Sequence, residues 1–233
     1  MIPIGDDNSG RTISPIINYL LIAVNVIVFV FIQQMGTDQA MIMSFSTVPQ
    51  EILTNTDLTS HGLGITPIPV YGTILTSMFM HASIGHLAGN MLFLWIFGDN
   101  LENVMGHFRY LVFYLLCGVI ASLSHVFMSA HNGTALYVPS LGASGAISGV
   151  LGGYLMLFPM NRIRIFVIRS VVHVPAIITL GLWIALQVVS QLGAIGDSAN
   201  GEAGGVAYAA HIGGFAGGIL MVRLFTRAKP AGY

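Results

Sequence analysis

The sequence predicts an all-α, polytopic membrane protein built as one bundle of six transmembrane helices, and three observations predict it. Of 233 residues, 55% are hydrophobic and 7% charged, at a mean hydropathy of +0.80; soluble domains carry about a quarter charged residues. Stretches free of Asp, Glu, Lys and Arg run over 12–37, 58–98, 110–161, 170–196 and 203–222, each long enough for at least one span of about 20 residues. With six spans, all eight basic residues fall on one side, the cytoplasmic side, because Lys and Arg near span ends are retained there.

Residues 1–13 read as a short cytoplasmic tail. No small-residue cleavage site follows the first apolar run, so span one, 14–35, is expected to be a retained anchor. The run from 58 is interrupted by Gly62, Gly64, Pro67, Pro69 and Gly72. Only its second half reads as helix, giving span two at 84–103. The run 110–161 is too long for one helix and breaks at 129–134 and again at 139–142, which divides it into spans three (107–128) and four (144–158). Spans five and six follow at 169–192 and 206–225, and 226–233 is a second cytoplasmic tail. Residues 14–225 form a single domain. Arg11, Arg109, Arg162, Arg164, Arg169, Arg223, Arg227 and Lys229 then lie inside, while Asp38, Glu51, Asp57, Asp197 and Glu202 sit in outer loops. A net charge of -1 offers no basic face to nucleic acid. Cys117, the only cysteine, excludes an intrachain disulfide framework.

Polar side chains inside spans are costly and mark function or interhelical bonding. Span two holds His86 and Asn90, at i and i+4 on one helix face. Span four opens with Gly142-Ala143-Ser144-Gly145, and span six holds Ala210-His211 with Gly213 and Gly214. All three spans run outside to inside. His86 to Asp99 is 13 residues, Ser144 to Pro159 is 15, and His211 to Arg223 is 12. At about 1.5 Å per residue, the three polar groups share a level roughly 18 to 23 Å above the inner boundary. Small residues argue that spans four and six touch: Gly145, Gly149, Gly152 and Gly153 on one, Ala207, Gly214 and Gly218 on the other. Crossing near their outer ends would bring Ser144 within hydrogen-bond reach of His211, the geometry of an activated hydroxyl.

Each residue also has a plainer reading. Ser144 could be a packing serine bonded to its own backbone. His211 could be structural or part of a proton relay, and His86 with Asn90 could be interhelical glue rather than oxyanion donors. His81 does not share the face of His86 if helical and counts as supporting. His61, His107, His125, His131 and His173 have no convincing partner in the sequence. Asp99 and Glu102 read as topology and capping features. A His-Glu-x-x-His zinc motif is absent, and Ile96-Phe97-Gly98-Asp99 lacks the first glycine of an aspartyl Gly-x-Gly-Asp motif.

These residues resemble the rhomboid family from about Thr73 to Gly218. The resemblance rests on Leu75 to Asn90, containing His81, His86 and Asn90; on Glu102, Gly106 and Arg109; on Gly142-Ala143-Ser144-Gly145 with Gly149; and on Ala210-His211-x-Gly213-Gly214. It implies an intramembrane serine protease with a rhomboid-like six-helix bundle. Ser144 is then the nucleophile and His211 the general base, as a dyad without a carboxylate. His86 and Asn90, with the Ser144 end of its helix, hold the oxyanion, and His81, Gly142, Gly145, Ser148 and Gly214 support the site. Span five and the loop 193–205, with Gly193, Gly196, Gly201, Gly204 and Gly205, would form a gate, and the loop 36–78 would lie partly in the outer membrane surface. The implied partners are transmembrane protein substrates and the lipid bilayer. No metal, nucleotide or organic cofactor is needed. The expected location is a bacterial plasma membrane, with both termini cytoplasmic and the active site opening outward.

Two departures from the family pattern stand out. Tyr71-Gly72 stands where many members carry Trp-Arg. Ser148, one turn after Ser144, stands where some members carry an aromatic that stacks on the histidine, so His211 needs another support. Water access would come through a polar lining of His81, His86, Asn90 and Ser148. Two rival readings stay open: an inactive rhomboid-like protein that binds membrane proteins, and a small transporter with a histidine proton relay.

Overall fold

A computed structural model describes residues 2–59, 63–198 and 207–227. The expectations attached to His61, Gly62, Gly201, Glu202, Gly204, Gly205, Lys229 and the tail beyond 227 fall outside the described residues. In chain order the elements are β1 (Ile2–Gly5), α1 (Ile16–Ile27), α2 (Gln39–Phe45), α3 (Pro49–Thr54), α4 (Thr73–Thr76), α5 (Ile84–Met105), α6 (His107–Asn132), α7 (Ser144–Leu157), β2 (Arg162–Val167), β3 (Ser170–Pro175), α8 (Ala176–Ser198) and α9 (Tyr208–Phe225). α1 continues into one wider π-helical turn, Val28–Ile32.

Helix boundaries follow local chemistry. Ser83 caps α5 by accepting the His86 N–H at 3.1 Å. Gly106, at φ 76, ends α5 and turns the chain into α6. Gly133 closes α6 in the left-handed conformation. α6, α8 (over 176–194) and α9 are long and apolar enough to cross a membrane, while α1 with its π turn and α7 are shorter apolar helices. α7 has 14 residues, about 21 Å of rise against a hydrocarbon core of about 30 Å. Its first residue therefore lies below one membrane surface when its last reaches the other.

The core lies among α5, α6, α7 and α9, around Leu94, Phe97, Phe113, Tyr114, Val150, Leu151 and Tyr154, all buried. α7 and α9 make the most extensive contact of any two elements, and glycine is what permits it. A Cβ on Gly214 would strike the Gly145 carbonyl, one on Gly218 the Gly149 carbonyl, and one on Gly152 the Phe215 carbonyl. The small residues of spans four and six thus form one seam where backbone meets backbone.

Two features differ from the sequence expectation. Residues 162–175 are not a loop leading into a helix at 169. They are an antiparallel hairpin in which Arg162 pairs with Pro175 and Val167 with Ser170, and α8 begins only at Ala176. The cause on β2 is a period-two pattern, with Ile163 and Ile165 buried while Arg162, Arg164 and Phe166 point out; on β3 it is the β-branched content of Val171, Val172 and Val174. Residues 2–13 are also more than a tail. β1 adds to β2, with Ile2 opposite Phe166. Arg11 pairs with Asp99 at 2.8 Å, and the Asn103 carboxamide accepts the Thr12 and Ile13 N–H groups.

Glu102, fully buried, accepts the N–H groups of Ile17 at 2.9 Å and Asn18 at 2.7 Å and a short contact from His107. From the last turn of α5 it thus caps the start of α1. At the other end of the bundle, the segment before α5 is tied to the α6–α7 loop through the Thr47–Ser140 bridge and Gln50 N–H to the Leu136 carbonyl at 2.9 Å. Ile52, Val70, Ile74 and Val126 form a second small core there. Val70 and Ile74 anchor this segment on either side of Tyr71, which is exposed.

Candidate active site

α5, α7 and α9 begin at the same end of the bundle. Ser144 is the first residue of α7 and His211 lies in the first turn of α9. The Ser144 Oγ stands 2.8 Å from the His211 Nε2. The glycine seam sets this distance, because helices separated by backbone contact leave their outer turns a hydrogen bond apart.

Gly142 shapes the approach to Ser144. Its φ of 121° is a conformation for glycine, and its N–H donates to the Ser77 carbonyl at 2.8 Å. A Cβ at Gly142 would meet the imidazole of His86 and come within 3.6 Å of the Ser144 Oγ, which puts the His86 ring beside the serine. The first intrahelical bond of α7 is Ile147 N–H to the Ala143 carbonyl at 2.9 Å. The N–H groups of Ser144, Gly145 and Ala146 precede it and point toward the helix start. Asn90 is buried one turn below His86, and its Nδ2 has no hydrogen-bond partner.

His81 is fully buried just before α5, outside any helix. It therefore reaches His86 despite the five-residue spacing, ring edge to ring face at 5.2 Å. Gln33 holds its backbone on both sides, with Nε2 donating to the His81 carbonyl at 2.8 Å and Oε1 accepting the His81 N–H at 2.9 Å. Both His81 ring nitrogens lack partners. Ser148 is buried and donates to the Ser144 carbonyl at 2.6 Å. It braces the first turn of α7 and is not part of a water-exposed lining. A cavity of about 20 Å³, lined by Ser77, Ser122, Ser140, Gly142, Ser144 and Ala207 among others, has room for about one water.

The support of His211 comes from α8. Gln187 Oε1 lies 2.7 Å from the His211 Nδ1, and the Trp183 ring is tilted against the imidazole at 6.0 Å between centroids. Trp183 also contacts Phe215. Neither residue stands out in the sequence, where an uncharged amide and a tryptophan barely interrupt an apolar span. The available signal was a carboxamide in an apolar span, four residues after a tryptophan. Among the described residues no group of three His, Cys, Asp or Glu side chains could hold a metal. A serine hydroxyl 2.8 Å from an imidazole nitrogen can give up its proton as it attacks an electrophile.

The Rhomboid domain family model matches residues 70–228. Similar proteins include Rhomboid protein 1, mitochondrial, of Saccharomyces cerevisiae, 36% identical over 148 residues, covering 64% of this chain and 40% of that protein. Rhomboid protease GluP of Bacillus subtilis is 30% identical over 191 residues, covering 80% of this chain and 34% of that one. Presenilin-associated rhomboid-like protein, mitochondrial, of Homo sapiens is 33% identical over 146 residues, covering 62% of this chain and 34% of that one. The chain thus spans 40% or less of the length of these relatives. With the domain match covering most of a helical bundle that carries membrane-crossing helices, this chain belongs to the rhomboid family of polytopic membrane proteins.

Proposed function

We propose that the chain is an intramembrane serine endopeptidase that cleaves peptide bonds in or next to transmembrane segments of other membrane proteins. The observation that carries this reading is the 2.8 Å contact between Ser144 Oγ and His211 Nε2. Ser144 Oγ attacks the scissile carbonyl carbon as His211 Nε2 takes its proton. The carbonyl oxygen becomes an oxyanion facing His86, the unpartnered Asn90 Nδ2 and the N-terminal end of α7. Collapse of this intermediate breaks the C–N bond, and His211 returns the proton to the departing amine. Water then attacks the Ser144 ester as His211 Nε2 takes its proton; collapse of this second intermediate breaks the C–Oγ bond, and His211 returns the proton to Ser144 Oγ, leaving the acid product to ionise to its carboxylate. Neither a metal nor an organic cofactor takes part.

A peptide bond inside a helix has its carbonyl bonded, so a substrate must unwind locally to reach Ser144. Small or helix-breaking residues are therefore expected near the cut. Residues 14–225 act as one catalytic unit. Arg11, Arg109 and Arg164 gather at the end away from Ser144, where they contact Asp99, Thr226 and Asp6. Their distribution supports cytoplasmic termini and a site open to the opposite side. Among the relatives are mitochondrial and bacterial proteins; a bacterial plasma membrane is the location we propose.

The test is purified protein in liposomes with a model transmembrane substrate. Cleavage and fluorophosphonate labelling are expected for the native chain, and Ser144→Ala and His211→Ala should lower cleavage by about 10⁴-fold or more. Undiminished cleavage by the Ser144→Ala protein overturns the assignment. Binding or transport that survives Ser144→Ala, without cleavage by the native chain, would favour the binder or the proton relay.

A further inference from the structure

α8 is mostly surface: Ile177, Ile178, Leu182, Leu186, Val189 and Leu192 are all exposed. Its bundle-facing stripe is Ala176, Leu180, Trp183 and Gln187, spaced at helical intervals. Gln187 is the polar member of that stripe. A carboxamide in an apolar span needs a partner, and its partner is the Nδ1 of His211 at 2.7 Å.

The two ring nitrogens of His211 are thus divided between two helices, Nε2 to Ser144 on α7 and Nδ1 to Gln187 on α8. We propose that Gln187 is a positioning residue for the reaction, holding the His211 proton on Nδ1 and making the base dependent on α8 being docked. This rests on the protease reading above. An amide oxygen accepts but does not donate, so the nitrogen facing it carries the proton and the other nitrogen keeps its lone pair for the Ser144 hydroxyl. In a serine triad a buried carboxylate does this work. No carboxylate among the described residues bonds His211; the titratable groups that face it are His86 of α5 and His125 of α6. A neutral acceptor fixes the tautomer without placing an ionised group in a membrane span.

The arrangement separates attachment from chemistry. Ser144 and His211 sit on the glycine seam, whereas the group that orients His211 sits on an exposed helix. Moving α8 away from α9 would withdraw Gln187 and Trp183 together and leave the imidazole free to rotate or change tautomer. Cleavage then requires α8 to be seated at the moment of attack.

The experiment measures kcat, KM, pH profile and fluorophosphonate labelling rate for the native chain, Gln187→Leu and Gln187→Glu in liposomes, with thermal unfolding alongside. Gln187→Leu should lower kcat and labelling by about 10- to 100-fold, part of the 10²- to 10⁴-fold typical of general-base catalysis, with KM within about twofold. Gln187→Glu should recover part of the loss and move the acidic limb of kcat/KM to higher pH, because a carboxylate beside Nδ1 favours imidazolium. Native kcat and an unshifted profile in Gln187→Leu overturn the proposal. If Gln187→Leu unfolds, Gln187→Glu decides: an unmoved acidic limb overturns it. Failure of the protease reading shows separately, as cleavage that survives Ser144→Ala.

Discussion

At the end of the bundle where α5, α7 and α9 begin, polar atoms wait without partners: the Asn90 Nδ2 and both ring nitrogens of His81 are buried and unbonded. At the opposite end, where α5 stops, polar groups are cross-bonded densely. Glu102 takes three donors. Asn100 bonds Asp6 at 2.6 Å and Asn8 at 2.9 Å, Tyr154 bonds Asp6 at 2.6 Å, and Arg11 bonds Asp99 at 2.8 Å. Both ends place polar side chains inside a membrane protein. A polar network whose donors are met holds elements together even where one acceptor, the buried Asp6 Oδ1, is left over, whereas an unsatisfied donor costs stability in the resting protein and gains a partner only when something binds. The difference teaches that polarity within a span does not by itself mark chemistry; an unmet donor beside the Ser144–His211 contact is what the proposed reaction requires.

That contrast can be broken by substitution. Glu102→Ala removes the acceptor for two α1 N–H groups, one buried and one part-buried, and at about 1 to 3 kcal/mol for each stranded donor should cost about 3 to 5 kcal/mol of stability. Thermal unfolding in detergent measures this, and a loss below about 1 kcal/mol would contradict a structural role for this end. Asn90→Ala should behave in the opposite manner. Removing an oxyanion donor typically costs about 10²-fold in kcat, near 3 kcal/mol of transition-state stabilisation, while the unfolding temperature stays level or rises because an unbonded amide is gone. A stability loss without a kcat loss would move Asn90 into the structural class.

The smallest effect concerns Asp6. Burial raises its carboxyl from an ordinary 3.8 to about 6, with Asp99 adding to the rise and Tyr154, Arg164 and Asn100 opposing it. A raised folded-state value means that the fold favours the protonated acid. Its contribution is therefore complete below about pH 4 and is lost as pH climbs through about 6, a decline of up to about 3 kcal/mol. Asp6→Asn should flatten unfolding temperature over that window. A flat native profile would place Asp6 in contact with water.

How much of this was legible in the sequence follows the same division. The spans, Ser144, His211, His86 and Asn90 announce themselves because a polar residue stands out in an apolar run, and the glycine seam because small residues recur at helical spacing. The sheet was not legible. Arg162 and Arg164 read as charges flanking a span, although their alternation with Ile163 and Ile165 was the strand signal, and β1 has no local cue because its partner is distant. Gln187 escaped notice because an uncharged amide barely changes hydropathy, and only its neighbour across the helix contact reveals a purpose. The missing aromatic at Ser148 was visible, but its replacement by Trp183 and Gln187 on another helix required three dimensions.

The pairing of Ile2 with Phe166 sets an order of assembly. At roughly 5 to 20 residues per second, the ribosome needs about 8 to 30 seconds to make the intervening chain. β1 must wait that long for its partner, while α1 can enter the bilayer at once. Glu102 and Asn103 appear sooner and can hold the start of α1 in the interval. The sheet at the end away from Ser144 then closes only after α5, α6 and α7 are made, and a nascent chain stalled before β2 would carry those helices yet leave β1 open to proteases.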